Sequence, residues 1–313
     1  MSHSMKNILV TGAFGQIGSE LVPALLNKKG VAKVIALDNR KPSADAGGIV
    51  ELADITDAIA LERIVQKYKI DTVFHLVSLL SATGEKNPNL AWDVNMGGLK
   101  IVLDLAVGYK MRVFWPSSIA AFGPTTPRDK TPQKTILEPT TMYGVTKVAG
   151  ELLCQYYFLK YGVDVRSVRY PGLISWKAQP GGGTTDYAVA IFHEAIATGT
   201  YECFVKKDTV LPMMYMDDAI RGTLQLMDAP ASKIKIRTSY NLAAMSFRAD
   251  ELAREIQKHV PCAVTYKPDH RQKIADSWPR SINDSQARKD WGWKPKINLV
   301  AMTKDMLKHL NGK

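Results

Sequence analysis

At 313 residues, 46 % apolar and 23 % charged, the chain has the size of one large domain or two closely joined ones, and no apolar run approaches the roughly 20 residues of a membrane span. Its net charge of +11 is scattered in pairs such as Lys28-Lys29 and Lys206-Lys207, without a basic block interleaved with aromatics, so a solvated basic surface is expected and nucleic-acid binding is not. Cys154, Cys203 and Cys262 lie far apart with neither CxxC nor metal-ligand spacing, and they read as buried thiols in a reducing compartment with no metal.

The opening Met1-Ser-His-Ser-Met5 reads as an added leader, with Met5 either the natural start or a start left by removal of a targeting segment. Ile8, Leu9 and Val10 then form a β-branched-rich run that stops at a glycine. Gly12, Gly15 and Gly18 sit three apart. Gly12 permits the tight turn, Gly15 lets a pyrophosphate approach bare backbone, and Gly18 lets the next helix pack close to the strand. Gln16 and Ile17 complete the turn, whose N–H groups face the anion as the helix opens. The next strand ends in Asp38, followed by Asn39, 20 residues past Gly18, where an acceptor for a ribose 2′-hydroxyl belongs. A carboxylate there repels a 2′-phosphate and favours NAD over NADP; Arg40 is the opposing feature, since an arginine could hold that phosphate.

Strands are predicted over 8–10, 34–37, 72–77, 113–115 and 165–169, alternating with helices over 17–28, 61–69, 90–107 and 143–161. That alternation implies an α/β fold: a doubly wound, parallel-sheet Rossmann domain over residues 5–170, with a smaller C-terminal substrate-binding lobe over 171–313. In the second half, 179–186 is too glycine-rich for a helix or strand. A helix over 188–198, a strand over 213–216 and a helix over 219–227 capped by Asp217-Asp218 follow. Next come a strand over 240–243, a helix over 248–259, an irregular stretch over 278–284 and a last helix over 299–310.

Tyr143 and Lys147 are four apart and share a helix face. A free phenol ionises near ~10, and a neighbouring ammonium stabilises the phenolate a general base requires. The strand over 113–115 runs into Ser117 and Ser118, where a hydroxyl can hold a substrate oxygen. Ser118 is preferred and Ser117 is the near alternative.

Together the glycine turn, Asp38, Ser118, Tyr143 and Lys147 resemble the extended short-chain dehydrogenase/reductase family over nearly the whole chain. The resemblance implies an NAD enzyme in which Asp54 and Ile55 flank adenine and Leu76 lies at a strand end beneath the cofactor. It further implies that Asn95 supports Lys147 through water and that Tyr170 lies beside the nicotinamide. His75, in the same strand end, reads as a satisfied core histidine. Within the family, the stretches 79–85, 180–188 and 276–285, with Trp291-Gly-Trp293, are similar to the short-chain-type L-threonine 3-dehydrogenase branch. That likeness implies oxidation of L-threonine at C3, with Tyr143 as base, Ser118 on the substrate oxygen and Lys147 supporting Tyr143. Ser81, Thr184 and Asp186 would line the amino-acid pocket, Trp278 would pack the lobe, and the loop 179–187 would order over substrate. It also implies a homodimer through the helices over 90–107 and 143–161, with Ile101, Leu105, Leu152, Tyr156 and Leu159 on their apolar faces. A CoA-dependent 2-amino-3-ketobutyrate ligase would act downstream. The compartment would be the mitochondrial matrix in a eukaryote and the cytoplasm in a bacterium. Two rivals remain: a nucleotide-sugar epimerase or dehydratase of the same family, and a non-enzymatic NAD(H) sensor.

Overall fold

A computed structural model describes residues 5–42 and 47–312; residues 1–4, where the sequence suggests an added leader, lie outside the described residues. The first half builds β1 (Asn7–Thr11), β2 (Lys33–Asp38), β3 (Ile49–Leu52), β4 (Thr72–His75), β5 (Arg112–Ser118) and β6 (Val165–Tyr170). With the two-residue strand Tyr240–Asn241 at one edge, they form a seven-stranded sheet ordered Tyr240–Asn241, β6, β5, β4, β1, β2, β3. The pairings β3–β2, β2–β1, β1–β4 and β4–β5 are all parallel. Strand order reverses between β1 and β4, the switch point at which doubly wound sheets bind ligands.

The connecting helices include α1 (Gly18–Leu26), α2 (Ala58–Tyr68), α3 (Ser81–Lys86), α4 (Pro88–Trp92), α5 (Gly98–Tyr109) and α6 (Met142–Tyr161). The helix predicted over 90–107 is interrupted by a π-helical turn, Asp93–Gly97, between α4 and α5. β3 was not predicted. Its Ile49, Val50 and Leu52 stay exposed at the sheet edge, so they give no burial pattern to read. In the core, α5, α6 and the sheet share Leu99, Val102, Leu103, Trp115, Cys154 and Tyr157. α6 lies close over β5, because a Cβ at Gly150 would stand 2.4 Å from the Trp115 ring.

The chain divides into two compact units, each of three segments: 1–117, 141–169 and 220–240 in the first, and 118–140, 170–219 and 241–313 in the second. The chain passes between the units after Ser117, Thr140, Arg169, Ala219 and Tyr240. The second unit has a three-stranded sheet of Met245–Arg248, Val210–Tyr215 and Gly172–Ile174, and a parallel pair of Thr200–Cys203 with Ala263–Tyr266. Asp218 lies in the first turn of the helix Met216–Asp228, and its carboxylate accepts from the N–H groups of Lys296 and Ile297. Trp293 is fully buried, donating from Nε1 to Asp284 Oδ2 at 3.0 Å and to Ala243 O at 3.2 Å, so the Trp291-Gly-Trp293 stretch is a packing anchor. Trp278 is buried too, and its carbonyl accepts from Arg128 Nε at 3.1 Å.

Candidate active site

In the first unit, the turn after β1 is built for close backbone approach. Gly12 has φ +71°, and a Cβ there would meet Val77 N at 2.9 Å. A Cβ at Gly18 would stand 2.4 Å from Gly12 O, so only glycine lets α1 start this near the turn. Gln16 and Ile17 are half-buried between them, and Ile17 is the residue before α1. Asp38 closes β2 and is buried. Its Oδ2 accepts from Phe14 N at 3.1 Å and its Oδ1 from Arg40 N at 3.2 Å, which ties the acid to the glycine turn. Arg40 Nε lies 3.5 Å from the same carboxylate, and its side chain is largely in solvent. Asn39, next in line, is exposed.

These features fit a dinucleotide: bare backbone at a helix start for pyrophosphate and an acid at the end of the second strand for a ribose diol. Leu76 continues β4, its N–H donating to Thr11 O at 3.0 Å. Asp54 Oδ1 accepts from Thr56 N and Oγ1 at 2.9 and 2.7 Å, bonds that hold its carboxyl below the usual range. Ile55 is a core residue, its side chain lying where a Cβ on Gly98 would touch it. Any adenine contact by Ile55 is thereby left to its backbone.

α6 opens with Thr141 as N-cap, its Oγ1 accepting from Gly144 N at 3.1 Å, and Glu85 on α3 accepts from Met142 N at 2.7 Å. Tyr143, half-buried, follows one position later. Lys147, one turn on, is 3 % exposed. Its Nζ donates to Pro116 O at 2.8 Å and lies 4.6 Å from the Trp115 ring centroid and 5.3 Å from that of Tyr143. Burial pushes the Lys147 ammonium down to about 7. His75 is fully buried, with Nδ1 2.8 Å from Thr11 Oγ1. Burial, with the Lys147 charge, holds it at about 3, so it is neutral at any working pH. Asn95 sits in the π-helical turn. Its Oδ1 accepts from Leu79 N at 2.7 Å, and its Nδ2 donates to Leu79 O and to Thr146 Oγ1 at 3.1 and 3.2 Å. It thereby joins α6 to the segment that leads to Ser81, which is buried at the start of α3.

Sequence reasoning missed one buried group altogether. Glu151, 1 % exposed, accepts from Ser117 Oγ at 2.6 Å and from Arg169 Nε and Nη2 at 2.8 and 2.7 Å. Its signal was the step of four from Tyr143 through Lys147 to Glu151, which extends the same helix face. The Ser117 hydroxyl is therefore committed to Glu151.

The second unit holds Ser118, Tyr170, Thr184 and Asp186. Ser118 caps the short turn Ile119–Ala121, its Oγ accepting from Ala120 N at 3.2 Å. Tyr170 and Thr184 are buried. Asp186 is the residue before the helix Tyr187–Thr198, but its carboxylate turns back to the glycine loop and accepts from Gly183 N at 2.8 Å. Burial raises its carboxyl above the usual range, opposed by the amides of Gly183, Gly181 and Gly182 and by Arg271. Among the described residues no group of three or more His, Cys, Asp or Glu side chains could hold a metal ion, and no helix is long and apolar enough to cross a membrane.

The family model described as NAD dependent epimerase/dehydratase matches residues 8–243. A Staphylococcus haemolyticus protein described as an uncharacterized epimerase/dehydratase is 54 % identical over 314 residues, spanning 99 % of each chain. Among solved structures, a monomeric L-threonine 3-dehydrogenase from a metagenome, in its apo form, is 55 % identical with a TM-score of 0.95, covering 97 % of this chain and 99 % of its own. The holo form of an L-threonine dehydrogenase from Cupriavidus necator is 54 % identical with a TM-score of 0.95 and the same coverage.

Proposed function

This chain belongs to the NAD dependent epimerase/dehydratase family, and from that membership we propose that it is an NAD-dependent dehydrogenase that oxidises L-threonine at C3 to 2-amino-3-oxobutanoate. The observation that carries the reading is the likeness, at more than half identity and over 97 % of the chain, to two threonine dehydrogenases of known structure. A nucleotide-sugar enzyme would share the fold without that likeness, and a mere NAD(H) sensor would have no use for a tyrosine and a buried lysine one helical turn apart.

The glycine turn, Asp38, Asn39, Asp54, Tyr170 and the α6 residues would hold NAD, which supplies the hydride acceptor. Tyr143 takes the proton from the C3 hydroxyl. Lys147 favours the phenolate electrostatically, since a cation near a phenol lowers the cost of ionising it. Ser118 donates a hydrogen bond to the oxygen as it becomes a ketone. Ser81 and Thr184 offer hydroxyls to the amino-acid carboxylate, and Asp186 offers negative charge to its ammonium. The product is a β-keto acid that loses carbon dioxide to give aminoacetone unless a CoA-dependent ligase consumes it. A homodimer through α5 and α6 is part of the same reading. Leu152, Tyr156 and Leu159 are 60, 46 and 70 % exposed on α6, an apolar face that a second copy would cover.

The test is NADH absorbance with L-threonine, set beside L-serine, allo-threonine, L-3-hydroxybutyrate and UDP-glucose, with aminoacetone measured as the co-product. NADH and aminoacetone in equal amounts from threonine are expected. Conversion of the sugar without net NADH would replace this reading with the epimerase one.

A further inference from the structure

Tyr143, Lys147 and Glu151 stand at successive steps of four along α6, and the last has no part in the chemistry described so far. Glu151 is held on three sides. Ser117 Oγ and both Arg169 donors, at 2.6 to 2.8 Å, fix the carboxylate in one position, and Glu151 and Arg169 are both buried. The same strand end grips Lys147, because Pro116 O accepts from its Nζ while the next residue, Ser117, binds Glu151. Lys147 and Glu151 are thus anchored to adjacent residues of β5 and displaced by one turn of one helix.

We infer that Glu151 is a positioning residue: its fixed carboxylate keeps the buried Lys147 amine protonated and so sustains the charge that favours the Tyr143 phenolate. The groups around Lys147 leave this task to Glu151. His75 on β4 is neutral. Cys154 on α6 is an uncharged thiol, because burial pushes it far up. Arg169 on β6 carries the wrong sign, and Tyr143 is the group being served. Desolvation pulls the Lys147 ammonium down, Cys154 and Glu151 oppose it, and with the Cys154 thiol un-ionised the Glu151 carboxylate is the charge that does so. Arg169 pairs with Glu151 at 2.7 Å and holds its carboxylate in place.

This inference rests on Tyr143 serving as the base of the proposed dehydrogenase. It is tested first without cofactor or substrate. The tyrosinate ultraviolet band is titrated in the protein and in its Tyr143→Phe variant, and the difference isolates Tyr143. Glu151→Gln is expected to move that ionisation upward by about one pH unit, so that the phenolate-to-phenol ratio at the original midpoint falls about tenfold. Glu151→Asp, which keeps the charge, is expected to restore it. If Glu151→Gln does not fold, Glu151→Gln/Arg169→Gln replaces the ion pair with a neutral pair, and an upward shift is again expected. An unmoved titration in either folded variant overturns the inference. The acid limb of turnover with threonine is then expected to follow the titration upward, which a purely structural role for Glu151 would not produce. Absence of threonine oxidation by the unmodified protein would defeat the proposed substrate alone, and the titration would still decide for or against Glu151.

Discussion

Two carboxylates, the buried Glu151 of one unit and the half-buried Asp186 of the other, are satisfied by opposite means. Glu151 in the first unit is clamped by a guanidinium and a hydroxyl, while Asp186 in the second accepts from the backbone of a glycine loop and is held above the usual carboxylate range by burial. A carboxylate matched by a fixed counter-charge suits a permanent electrostatic task. One matched mainly by peptide dipoles retains unspent charge, which a cationic ligand group can use. In the proposed reading the contrast separates a region that maintains a charge from one that receives a charge.

The largest expected effect lies at the output of the first region. Tyr143→Phe should lower turnover with threonine by about 10³-fold or more while leaving the NAD dissociation constant within about twofold, as measured by steady-state kinetics and titration calorimetry. Near-normal turnover would remove the base.

Next comes the sign of the stability change at each carboxylate. Glu151→Gln leaves the Arg169 charge buried without its counter-charge, and chemical denaturation should show a loss of about 3 kcal/mol. Asp186→Asn should do the reverse. A carboxyl whose folded value is raised favours folding while protonated, and that contribution is lost as pH rises through the folded value. At pH 7.5 the asparagine variant should therefore unfold about 1–3 °C higher than the parent, and the gap should close as pH falls toward 4. Threonine KM should meanwhile rise about tenfold through loss of the charge offered to the ammonium. Equal signs at the two positions would erase the contrast.

The smallest effect on chemistry is expected on the outer face of α6. Leu159→Glu places a charge on the exposed apolar stripe and should convert a dimer to a monomer in sedimentation velocity, with turnover per chain changed less than about threefold. A parent protein that already sediments as a monomer would remove the dimer from the account.

What the sequence disclosed follows from the same physics. β1, β2, β4 and β5 carry buried apolar runs, and the glycine turn is a steric requirement written in residue type, so both were legible. The π-helical turn around Asn95 was not, because one extra residue leaves the apolar spacing of 90–107 nearly intact. Glu151 was hidden because a glutamate within a helix reads as a solvated surface charge. Only the approach of Arg169, 18 residues later on β6, shows it to be internal. The turned-back carboxylate of Asp186 depends on glycine-loop geometry that composition does not encode.

The central claim is that hydride leaves C3 of threonine, and isotopic labelling tests it most directly. With L-threonine deuterated at C3, mass spectrometry of the reduced dinucleotide should find one deuterium per turnover. Unlabelled NADH, or no NADH from threonine at all, would contradict the account.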